Sequence, residues 1–107
     1  MLAKEWVSRF DIADLVDSRT SFFHLSHGQQ KLVLLVRAMV KSPRLLLLDE
    51  PTHGLCSHSR SRLLSMLRVL SDDPNVAIVY VTHRQDEIEW LEFPHVLRLR
   101  PPVAKAD

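Results

Sequence analysis

The chain has 107 residues, 46% hydrophobic and 25% charged, with a formal net charge of +1 at pH 7. That is enough for one small globular domain, and the composition is not that of a disordered chain. The near-neutral charge and scattered arginines exclude the massed basic surface that nucleic acid requires, and the lone Cys56 excludes an internal disulfide and fits a reducing cytosol.

The first eleven residues have no continuous apolar core and read poorly as a signal peptide. No apolar run approaches the roughly 20 residues that span a bilayer. Leu2, Trp6 and Val7, then Ile12, Leu15 and Val16, fall at helical spacings broken near Phe10-Asp11, which predicts two short helices. Residues 18–25 read as a loop ending on Phe22, Phe23 and Leu25. Ser26, followed three residues later by Gln29, is a capping-box pattern and opens a helix that runs to about Lys41, before Pro43. Leu32, Val33, Leu34, Leu35, Val36, Ala38, Met39 and Val40 make this helix apolar almost all round, so it is expected to be buried.

Four leucines, 45–48, stand between Pro43 and the pair Asp49-Glu50 and predict a strand buried on both faces. A loop around Gly54 follows. Leu63, Met66, Leu67 and Leu70 then mark an amphipathic helix over about 58–71. Residues 72–75, Asp-Asp-Pro-Asn, form a turn. Residues 76–81 are strong β-formers and predict a second strand, 85–91 a short acidic helix, and 96–99 a last strand stopped by Pro101-Pro102. The expected class is α/β, with parallel strands and flanking helices.

Chemistry is expected at the carboxyl ends of the strands, where open α/β sheets gather ligands. An aspartate at position 49 can hold Mg²⁺ through oxygen. The adjacent Glu50 can orient or deprotonate water. His83, at the end of the second strand, can reach a phosphate or the water attacking it. Ser26, Gly28 and Gln29 lie at a helix N-terminus, which favours anions. Each feature alone has a plain structural reading: an acidic turn, a surface histidine, a helix cap. The pairs His24/His27 and His53/His58 lack a thiol pair or acidic ligand to complete a tetrahedral metal site.

Taken in order, these features resemble the ABC ATPase family across most of residues 24–87. Residues 25–29, Leu-Ser-His-Gly-Gln, resemble its signature, with His27 where glycine is usual. Residues 44–50 resemble its Walker B strand, residues 52–56 its D-loop (with Gly54, Leu55 and Cys56), and Thr82-His83 its switch histidine. A finer resemblance, carried by Gln29-Gln30, Leu34, Val36-Arg37-Ala38, Val40-Lys41 and Pro43, is to molybdenum-transport ATP-binding proteins built from two ABC halves.

The resemblance implies that residues 1–107 form the carboxy-terminal part of a P-loop NTPase domain that binds and hydrolyses ATP with Mg²⁺. Asp49 would serve the metal, Glu50 the attacking water and His83 the γ-phosphate. Ser26, Gly28 and Gln29 would face a nucleotide held by a partner ATPase domain. The implied setting is the cytoplasm, peripheral to the inner face of a membrane carrying a permease.

Four departures qualify this. Nothing matches G-x-x-x-x-G-K-[ST], the phosphate-binding loop. The base-stacking aromatic and Q-loop are also unplaced, and Cys56 stands where the D-loop aspartate is usual. By the resemblance, the strand carrying the phosphate loop would lie between the strands at 76–81 and 96–99. The expectation is therefore a fragment, split product or gene remnant that is inactive alone. The alternative is a non-enzymatic piece that pairs with a complete ATPase.

Overall fold

The computed structural model describes residues 3–16 and 21–99. Leu2, the loop residues 18–20 and Pro101-Pro102 lie outside the described residues. In chain order the elements are α1 (Ala3–Arg9), a 3-10 turn (Ala13–Leu15), a second 3-10 turn (Phe22–His24), α2 (His27–Val40), β1 (Leu45–Asp49), α3 (Ser57–Ser71), β2 (Ala77–Val81) and α4 (Gln85–Leu91).

The strands β1 and β2 pair in parallel, Leu45 opposite Ala77 through Asp49 opposite Val81, and α3 is the crossover between them. A parallel pair needs such a crossover. Leu63, Leu64, Met66, Leu67 and Leu70 of α3 form the centre of the core with Leu32, Leu35, Val36 and Met39 of α2. Trp6, Phe10, Ile12 and Leu15 close one end. Arg62 of α3 holds that N-terminal segment, with Nη2 donating to Asp14 Oδ1 at 2.8 Å and to the Asp11 carbonyl at 2.9 Å.

Period two then decides which strand residues are covered. Leu46 is buried, and Leu48, Ile78 and Tyr80 pack against the core. The opposite face carries Leu45, Leu47, Val79 and Val81, all exposed, with Leu47 67% exposed. The expectation that β1 is buried on both faces is thus corrected. Among the described residues the helices cover one face of a two-stranded sheet, so one set of side chains is left outside. The same geometry corrects α2, which is buried on one side only. Leu34 and Val40 are exposed because their side of the helix meets no second layer.

The strand expected at 96–99 is also absent. Residues 95–99 carry no strand pairing, and Leu97 and Leu99 are each 84% exposed. A strand needs a hydrogen-bonding neighbour, and among the described residues the sheet contains only β1 and β2. The second expected N-terminal helix is corrected to a single 3-10 turn at Ala13–Leu15, and the expected loop at 18–25 contains another at Phe22–His24. The boundaries of α3 and α4 agree closely with expectation: α4 spans Gln85–Leu91, and α3 starts one residue early.

Candidate functional site

The site forms where β1 and β2 end side by side. Asp49 closes β1 in an exposed position, and the backbone turns sharply at the next residue. Glu50 has φ of 48°, in the left-handed region, where a residue with a Cβ is strained. Two backbone hydrogen bonds hold it there. Its N–H donates to the Val81 carbonyl at 2.8 Å, and its carbonyl accepts from His53 N–H at 3.1 Å. The first bond extends the β1–β2 ladder by one step, so the fold itself aims Glu50 toward the end of β2.

His83 meets it there. Its Nδ1 lies 2.8 Å from Glu50 Oε1 and 2.9 Å from Oε2. A carboxylate only accepts, so Nδ1 carries the proton in this contact. In a neutral ring Nε2 is then a bare acceptor. Only the doubly protonated ring can keep the Glu50 contact and also donate from Nε2 to an anion.

At the other end of the site, α2 begins with the expected capping box. Ser26 Oγ accepts from Gln29 N–H at 3.2 Å, and Gln29 Oε1 accepts from Ser26 N–H at 3.0 Å. An anion approaching this helix end would compete with the box for those donors. Gly28 is buried, and its missing Cβ has a packing reason. A Cβ there would lie 2.7 Å from Ser59 Cβ and 3.3 Å from Leu55 Cδ2. The start of α2 is thus pressed onto the start of α3. Lys31, one turn on, donates from Nζ to the carbonyls of Pro51 at 3.2 Å and His53 at 3.3 Å. It therefore clamps the loop that follows Glu50. Among the described residues no hydrogen bond or ion pair joins Ser26 or Gln29 to Glu50 or His83.

In the loop, Gly54 adopts φ of 77° with open space around its Cβ position, so the backbone conformation accounts for the glycine. Leu55 packs against the core. Cys56 is exposed and is the N-cap of α3, without a side-chain cap hydrogen bond. An aspartate at this position would suit the helix end, which favours acceptors. Cys56 Sγ lies 3.5 Å from Ser59 Oγ, and the nearby Ser59 backbone and hydroxyl lower the thiol from its ordinary value.

Beneath the rim lies a group that the sequence reading overlooked. Glu87 of α4 is fully buried, at 0% exposure. Its Oε2 accepts from Thr52 Oγ1 at 2.6 Å and Arg60 Nε at 3.0 Å. Its Oε1 accepts from Tyr80 Oη at 2.7 Å and Thr82 Oγ1 at 3.2 Å. A signal was present in the spacing. Glu87 and Leu91 are four apart on α4, and Arg60 stands three, four and seven residues before Leu63, Leu64 and Leu67 on the packed face of α3.

Burial pushes the Glu87 carboxyl up, but the hydrogen bonds from Thr52, Tyr80, Arg60 and Thr82 outweigh it and leave it below its ordinary value. Burial, then the Glu87 carboxylate, pushes the Tyr80 phenol strongly upward. Glu87 therefore favours its charged form in the native state more than in the unfolded one. Its stabilisation is complete above the unfolded value of about 4.3 and is lost as pH falls through the lower native value. Asp14 and Asp86, lowered by hydrogen bonds from Arg62 and Arg84, act in the same direction but are exposed, so they add little. The urea midpoint should accordingly be level near neutrality and fall below about pH 4. A flat acid limb, or one unchanged in Glu87→Gln, would contradict this assignment.

The order along the chain therefore has a spatial counterpart: a capped helix pressed on a loop, a strand ending in Asp-Glu, and a histidine closing on that glutamate. Residues 2–53 match the family model described as ABC transporter. The chain is similar to ABC-type ATP-binding proteins. It is 43% identical over 68 residues to the molybdenum import ATP-binding protein ModC of Pseudomonas fluorescens, covering 64% of this chain and 19% of that protein. It is 37% identical over 89 residues to the ABC transporter ATP-binding protein ModF of Escherichia coli, covering 80% of this chain and 17% of that one. It is 49% identical over 63 residues to the sulfate/thiosulfate import ATP-binding protein cysA of Cucumis sativus, covering 59% and 18%. The chain thus spans about a fifth of the length of these relatives. The chain has the α/β architecture expected, with parallel strands and flanking helices. Among the described residues no helix is long and apolar enough to cross a membrane.

Proposed function

We propose that this chain supplies the hydrolytic rim and signature helix of an ABC-type ATP-binding subunit of the molybdate-transport kind. The observation that carries this reading is the Glu50–His83 contact at 2.8 Å, on the adjoining ends of two parallel strands. In this reading Glu50 orients and polarises the attacking water, and His83 in its doubly protonated form contacts the γ-phosphate. Ser26, Gly28 and Gln29 face nucleotide held by a partner domain. Asp49 serves Mg²⁺. Among the described residues no three His, Cys, Asp or Glu side chains converge to hold a metal by themselves. Asp49 would then give one oxygen ligand, with phosphate and water completing the shell, an arrangement that Mg²⁺ accepts. When bound, Mg-ATP supplies the phosphoryl group and much of the charge neutralisation, leaving the protein chiefly to position and stabilise.

The proposed setting is the cytoplasmic face of a membrane, with a permease and a second ATPase domain as partners and no nucleic acid. The molybdenum names of the ModC relatives support the solute. The sulfate/thiosulfate relative matches over a shorter span at higher identity, so molybdate itself is the finer part of the proposal.

This sequence holds no phosphate loop, so the 107-residue chain by itself is proposed to be inactive. Calorimetric titration of the chain with Mg-ATP should show no micromolar binding. Adding or co-expressing a polypeptide that carries the phosphate loop should produce binding and hydrolysis. Stoichiometric tight binding by the chain alone would sink the inactivity proposal, and absence of hydrolysis in a folded, reconstituted domain would sink the ATPase reading. A second reading, a non-catalytic piece that pairs with a complete ATPase, has the exposed Leu45, Leu47, Val79 and Val81 face in its favour.

A further inference from the structure

Glu50 and His83 sit on two separate loops, and the contact between them lies near the surface. The His83 side chain is 76% exposed and that of Glu50 33%. Exposed pairs of this kind hold little geometry by their own attraction. Something beneath must set the two loops at the right separation.

We infer that Glu87 is the positioning residue for the Glu50–His83 pair, acting through Thr52 and Thr82. This rests on the ATPase reading above for its functional meaning, but its geometry stands independently. The Glu87 carboxylate touches both loops at once. Thr52, two residues after Glu50, donates to one carboxylate oxygen, and Thr82, immediately before His83, donates to the other. The Thr82 hydroxyl also accepts from the Arg84 N–H at 3.0 Å, so the residues on both sides of His83 are tied to one side chain. Arg60 and Tyr80 fill the remaining acceptor positions of the carboxylate and fix its orientation against α3 and β2. Arg60 Nη2 in turn reaches Asp86 Oδ2 at 2.6 Å, which anchors the start of α4.

A carboxylate suits this position because all four partners offer donors and a carboxylate only accepts. Glutamine could keep these contacts if the Tyr80 and Thr82 hydroxyls turned to accept from its NH₂ group. A test of the ties therefore needs an apolar side chain such as leucine, which offers no acceptor to either loop. Inside the protein such a network is strong when every member is satisfied and costly when one is removed. Loss of one loop tie would let the His83 loop drift from Glu50 without dismantling the leucine core.

The tautomer of His83 reads this directly. With the Glu50 contact made, the neutral ring carries its proton on Nδ1; free imidazole side chains prefer Nε2. Long-range ¹H–¹⁵N correlation spectra of the full chain distinguish the two, because the protonated and the bare ring nitrogen of a neutral imidazole resonate far apart. His83→Gln identifies the resonance. Wild type should show the Nδ1–H form. Glu87→Leu and the milder Thr52→Val should both lose it in favour of Nε2–H, while Thr52→Ser, which keeps the donor, should retain it. Leu70→Ala, which weakens the core away from the rim, should leave the tautomer unchanged. If Glu87→Leu does not fold, Thr52→Val decides. Retention of Nδ1–H in folded Thr52→Val or Glu87→Leu would overturn the positioning role while leaving the Glu50–His83 contact standing. An Nε2–H ring in wild type would overturn the contact itself, and with it both readings.

Discussion

Glu50→Gln, in a protein in which a phosphate loop is also supplied, should lower ATP turnover by roughly two to four orders of magnitude. The substitution keeps the length and hydrogen-bonding reach of the side chain and removes only the charge that polarises or accepts a proton from water. Nucleotide affinity should change little, because neither Asp49 nor the phosphate loop is touched. The expectation is specific to this position because the backbone fixes it. The left-handed conformation at Glu50 and its bond to the Val81 carbonyl aim the side chain whichever residue is present. Asp49→Asn should fail differently, through weaker Mg²⁺-dependent binding. Single-turnover hydrolysis and equilibrium nucleotide binding, measured side by side, separate the two. Unchanged turnover in Glu50→Gln would reduce Glu50 to a partner for His83 and nothing more.

Gly28→Ala should destabilise the chain by about 1–3 kcal/mol. Two effects compete. Alanine is the better helix former by up to ~1 kcal/mol in a helix interior, and Gly28 lies in the first turn of α2, where the gain is smaller. Against this, the new methyl group would fall 2.7 Å from Ser59 Cβ. That atom is attached to the α3 backbone, so it cannot swing aside as the end of a long side chain would, and two packed helices must separate. The clash wins. Ser59→Gly in the same chain should recover much of the loss, and a urea double-mutant cycle measures the coupling. Additive effects would show that the start of α2 does not press on α3 as described. A glycine in a signature-like segment invites a ligand-based explanation, and here packing gives a second reason for it.

The local elements were legible in the sequence because their causes are local. The capping box at Ser26 and Gln29, the apolar spacing of Leu63 to Leu70 and the β-branched run before Thr82 each act within a few residues. That Asp49, Glu50 and His83 meet at one edge was also legible, since residues that end neighbouring parallel strands share an edge. Tertiary structure decided everything that depends on what lies opposite. The leucines of β1 specify a strand, but only the absence of a second covering layer among the described residues exposes Leu45 and Leu47. Residues 96–99 carry an apolar pattern, yet a strand exists only where another strand offers hydrogen bonds. Glu87 looked like one acidic residue among several in α4. Its role depends on donors arriving from Thr52, Arg60, Tyr80 and Thr82, up to 35 positions away. Sequence spacing gives the face of a helix, and only the assembled core gives the partners that face will meet.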